Sequence, residues 1–105
     1  PALDVLRMAT INGAKALHID HLVGSLEVGK YADLVVLDAF SPSLTPVFDP
    51  HVAIVAAAGR GDVCHVVVHG QVVVRDRMAL TIDAHAVVER ANKLTPAILA
   101  SVARN

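Results

Sequence analysis

The runs Val63-Cys64-His65-Val66-Val67-Val68 and Gln71-Val72-Val73-Val74-Arg75, parted by His69-Gly70, constrain this chain more than any other stretch. β-Branched residues at this density crowd a helix but pack well on a pleated sheet. Two such runs joined by two residues read as a hairpin, with Gly70 supplying the positive φ of the tight turn. His69 tolerates that conformation less well than Asn. A short third strand is expected over residues 79–82, giving a β-meander.

The flanks read as helix and strand. In residues 2–17, Leu3, Leu6, Gly13, Ala14 and Leu17 fall near one helical face, and the helix should end near residues 18–20. Ala9, Gly13 and Ala14 would let a neighbour approach closely, and packing is the expected reason for Gly13. Residues 23–30, with Gly24 and Gly29, form a turn-rich stretch. Residues 32–38, apolar on both faces between Asp33 and Asp38, are expected to be a strand covered on both sides. Pro42, Pro46 and Pro50 make residues 39–50 an irregular connection, with Asp49 and Pro50 opening a short helix over 51–58. Asp83 caps a long helix with its stripe at Val87, Val88, Ala91, Leu94, Thr95, Ile98, Leu99 and Val102. That stripe keeps phase across Pro96, so a kink is expected there rather than a restart capped by Thr95.

Length and composition set the class. One domain is all that 105 residues allow. Apolar residues are 54% before six glycines are counted, against about 45–50% with glycine included. A small domain should be poorer in them, not richer, so surface on this chain is expected to be buried against something else. The net charge of −1 offers no basic footprint for nucleic acid or anionic lipid. The apolar run at residues 52–58 is far short of a membrane span. Cys64 stands alone, excluding an internal disulfide and fitting a reducing, cytoplasmic setting. Pro1 is no translation start and no signal segment follows, so a piece of something larger is expected.

Chemistry-bearing residues do not gather. His18, His21, His51, His65, His69 and His85 include no His-x-His and no His-Glu-x-x-His, and two histidines four apart on a strand stand about 13 Å from each other. Ser25, Ser41, Ser43 and Ser101 lack the Gly-x-Ser-x-Gly setting of a nucleophile. Gly24 and Gly29 have no third glycine or Walker lysine. Arg60-Gly61-Asp62 matches an adhesion tripeptide but reads as the turn leading into a strand. No catalytic, cofactor-binding or metal-ligating residue is therefore assigned within this chain.

A resemblance adds what spacing does not. Residues 8–17, Met-Ala-Thr-Ile-Asn-Gly-Ala-Lys-Ala-Leu, and the block Gly24-Ser25-Leu26-Glu27-Val28-Gly29-Lys30-Tyr31-Ala32-Asp33-Leu34-Val35-Val36 resemble the C-terminal signature of the amidohydrolase superfamily. Asp49-Pro50, the valine hairpin and residues 80–83 continue the resemblance over essentially the whole chain. Its nearest branch is that of cytosine deaminase-like enzymes, chlorohydrolases and adenosine-type deaminases. The resemblance implies an α+β fragment of a (β/α)8-barrel, metal-dependent hydrolase that carries a composite β-sandwich. Residues 1–20 would be the last barrel helix, 21–82 the C-terminal share of the sandwich, and 83–105 a helix packed on the enzyme body. The family's metal ligands, on barrel strands, have no counterpart here; a divalent zinc or iron is implied for the parent, not for this chain. His69 stands where the family usually has Asn, and Arg77 where glycine often follows Asp76, so the second turn should differ in type.

Two functions follow. In the first, the chain is a non-catalytic segment of an enzyme hydrolysing a C–N or C–Cl bond of a nitrogen heterocycle, and its partners are the missing barrel and sandwich strands. In the second, it is a freestanding interaction module that self-associates through exposed strand edges.

Overall fold

The computed structural model describes residues 1–103. The fold is α+β, as the sequence predicts. Helix α1 (Ala2–Arg7) runs unbroken through a wide π turn (Met8–Asn12) into α2 (Gly13–Ala16). Within the wide turn the Thr10 hydroxyl donates to the Leu6 carbonyl at 2.7 Å. His18, with φ +58, ends the helix. Its N–H donates to Lys15 and that of Ile19 to Ala14, the paired bonds of a Schellman motif.

Gly24 lies directly against this helix. A Cβ on it would stand 2.8 Å from the Ala14 Cβ and 3.0 Å from the Ile11 Cα, and its φ is +93. Here the small side chain of Ala14 admits a close neighbour, as its size predicts. Gly13 is different: a Cβ there would meet only the Met8 carbonyl, at an ordinary 3.5 Å. Packing within the described residues therefore does not account for Gly13.

The sheet is antiparallel, in the order β1 (Leu34–Leu37), β2 (Val63–Val68), β3 (Gln71–Arg75), β4 (Met78–Ala79). The hairpin has its expected bounds, and the turn at His69-Gly70 has positive φ at both residues. The His69 N–H donates to the Asp33 carboxylate at 2.6 Å, and its ring lies 4.1 Å from that of Tyr31. These contacts hold His69 where Asn would be easier. Register slips at Val36/Leu37 and at Val66/Val67 mark bulges, so neither face alternates cleanly.

Three expectations are corrected here. The third strand sits at Met78–Ala79 rather than 79–82, because the chain reverses tightly at Asp76-Arg77. That second turn is not of another type: Asp76 and Arg77 both have positive φ, like His69 and Gly70. Strand β1 is not covered on both sides within this chain, for Val35 and Val36 are exposed.

Beyond β1, a 3₁₀ turn (Pro42–Leu44) buries Leu44, and α3 (Pro50–Val52) continues as a π turn (Ala53–Ala57). The Asp49 carboxylate caps α3 by accepting from the His51 and Val52 N–H groups. Helix α4 (Ala84–Val102) is capped by Asp83, which accepts from the Ala86 N–H at 3.0 Å, and it runs continuously through Pro96. Thr95 does not restart it: its hydroxyl turns back toward the Ala91 carbonyl. Residues 104–105 of the expected 83–105 helix lie outside the described residues.

The fold has almost no interior. Among the described residues Ala14 and Leu44 are the buried apolar ones, and no side chain of α4 is buried. The radius of gyration is 18.5 Å, where a compact domain of this length has about 13 Å. The accessible area is 8182 Å², where a compact monomer of this mass exposes about 5600 Å². The surplus, about 2600 Å², is of the size that obligate interfaces bury.

Candidate functional site

Two polar clusters and one apolar trough organise the molecule. The first cluster accounts for part of the Gly-Ser-Leu-Glu-x-Gly-Lys block. The Lys30 Nζ donates to the Ser25 hydroxyl at 2.6 Å and pairs with Glu27 at 2.9 Å, while Ser25 donates to Glu27 at 2.8 Å. Hydrogen bonds from Lys30, then from Ser25, hold the Glu27 carboxyl below its usual range. This triangle folds the loop after Gly24 and delivers the chain toward β1.

The second cluster lies at one end of the sheet. Asp62 is buried and accepts from the Gly59 N–H at 2.7 Å, from the Ser43 hydroxyl at 2.5 Å and from the Ser41 hydroxyl. The Gly59 bond above all, then the two serines, brings its carboxyl down to about 2. The Arg60-Gly61-Asp62 sequence is thus a 3₁₀ turn with its carboxylate turned inward, a poor ligand for an adhesion receptor. Arg77 fastens the neighbouring segments. Its N–H donates to Cys64, its Nε to the Gly61 carbonyl at 2.9 Å, and its Nη2 to Asp38 at 3.0 Å. That guanidinium, then the Phe40 N–H, lowers the Asp38 carboxyl. Arg77 was legible only as a departure from glycine; the αL position its side chain helps to hold was not.

The trough opens between the helical rod and the sheet, with a volume of about 1130 Å³. Leu6, Ala9 and Leu17 line it from the rod, and Leu34, Val63 and Val67 from the sheet. Its walls are mainly aliphatic, with Thr10, Ser25, Asp33 and Arg60 as the polar part of the lining, so it offers chiefly surface for packing.

The histidines remain apart. His18 caps a helix, His69 lies on Tyr31, and His51, His65 and His85 stand beside Asp49, Asp76 and Glu89 respectively. His21 joins none of these pairs. Among the described residues no three His, Cys, Asp or Glu side chains gather as a metal would require. The donor set therefore does not fit a zinc centre, and no hydrolytic step is assigned to these residues.

The description "Amidohydrolase family" fits residues 1–73. The chain belongs to the amidohydrolase family. It is 48% identical over 90 residues to the 5-methylthioadenosine/S-adenosylhomocysteine deaminase of Syntrophobacter fumaroxidans, a match that covers 86% of this chain and 20% of that protein. It is 39% identical over 102 residues to the 5'-deoxyadenosine deaminase of Methanosarcina mazei, covering 97% and 23%. Among solved structures, a zinc-bound adenosine deaminase from Xanthomonas campestris superposes with a TM-score of 0.90 at 34% identity, over 95% of this chain and 23% of that one. Zinc-complexed atrazine chlorohydrolase from Arthrobacter aurescens TC1 superposes with a TM-score of 0.79 at 29% identity, over 89% and 20%. This chain thus spans about a fifth of the length of the amidohydrolases it matches. A freestanding interaction module finds no support among these relatives. No described helix is long and apolar enough to cross a membrane.

Proposed function

We propose that this amidohydrolase segment is the C-terminal part of a metal-dependent enzyme that removes an amino group from an adenosine-type nucleoside. Hydrolysis of a C–Cl bond on a nitrogen heterocycle is the neighbouring chemistry. Its own share is structural: residues 1–20 form the last barrel helix, 21–82 complete a composite β-sandwich, and 83–105 pack on the enzyme body. Its partners are the barrel and the sandwich strands contributed by the rest of the polypeptide, with the outer edge of β1 as one pairing site. The observation that carries this reading is the open aliphatic trough between rod and sheet, in a chain whose relatives are four to five times as long. The deaminase names of those relatives support the C–N reading over the C–Cl one.

The test is to read and express the coding sequence upstream of Pro1. A reading frame encoding a His-x-His after a strand-like run is expected. Co-expressed with the 105 residues, it should give a zinc-dependent deaminase for 5'-deoxyadenosine or 5'-methylthioadenosine. Turnover by the 105 residues alone, or a stop codon and start site immediately upstream, would overturn the proposal.

A further inference from the structure

We draw no further inference here: the strongest candidate, the exposed side chains of Phe40 (94% exposed) and Phe48 (92% exposed) on the loop pinned by Leu44 and Asp62, is an unpartnered apolar face, and nothing in the structure shows whether the rest of the enzyme or a second copy covers it.

Discussion

Replacing Gly24 by alanine separates two effects that the structure holds together. At φ +93 an L-residue is strained by about 1–2 kcal/mol. The new methyl would also meet the Ala14 Cβ at 2.8 Å and the Ile11 backbone at 3.0 Å, and overpacking of this kind costs about 1–3 kcal/mol. Together they weaken the junction of loop and helix by about 2–5 kcal/mol, which is about 30-fold to a few thousand-fold in opening. Gly29 is the control: its φ is also +93, but a Cβ there has nothing within 4 Å. Gly29→Ala should therefore weaken its surroundings by strain alone, about 1–2 kcal/mol, or about 5- to 30-fold. The gain in chain stiffness that alanine brings to the unfolded state is the same in both variants, so the difference isolates the contact. Hydrogen exchange in the assembled enzyme reads it through the Ile19, Val23 and Tyr31 amides, which are bonded to Ala14, Ile19 and Leu22. Equal effects of the two substitutions would refute the close approach of Gly24 to the helix.

Three further outcomes follow from named contacts. The Asp62 carboxyl sits at about 2 in the fold against an ordinary 3.8, so its bonds are fully present above about pH 4 and are lost as pH falls toward 2; protection of the Gly59 amide, taken relative to its intrinsic exchange rate, should fall over that window, and Asp62→Asn should flatten the dependence. Arg77→Gly should hold the 59–62 loop better than Arg77→Ala by about 1 kcal/mol, because both lose the ties to Gly61 and Asp38 but only glycine relaxes at φ +66; limited proteolysis at Gly61 ranks them. Gly13→Ala should stabilise the helical rod by up to about 1 kcal/mol if the site stays as open as it stands, but should destabilise the assembled enzyme if another element packs there, a change of sign that thermal melting detects.

The sequence was most legible where local chemistry decides the structure. The valine runs around His69-Gly70 set the hairpin to the residue, and Asp49 and Asp83 cap helices where their carboxylates reach free N–H groups. It was least legible where distant parts of the chain meet. Apolar periodicity at residues 2–17 announces a helix but carries no sign of the wide turn at Met8–Asn12. Arg77 takes a glycine-like conformation beside bonds to Asp38 and Gly61, residues 39 and 16 positions away. The bulges, with the extra residue at Cys64 in β2 and at Val73 in β3, displace the face pattern that strict alternation would give. The Asp62 cluster is hidden in the sequence for the same reason, since Ser41 and Ser43 lie 21 and 19 positions from Asp62. The apolar excess, by contrast, goes with the exposure of most large apolar side chains among the described residues.

The most direct test follows the amides of α4, from Val87 to Ala103, in the 105-residue chain alone and within the enzyme. A 19-residue helix that carries Pro96 in its interior and has no buried side chain is marginal by itself in water. These amides should exchange at nearly unprotected rates in the isolated chain and at least a thousandfold more slowly in the enzyme, an order expected when a helix gains its packing partner. Strong protection of α4 in an isolated, monomeric chain would contradict the claim that its apolar faces are built to be covered by the rest of an amidohydrolase.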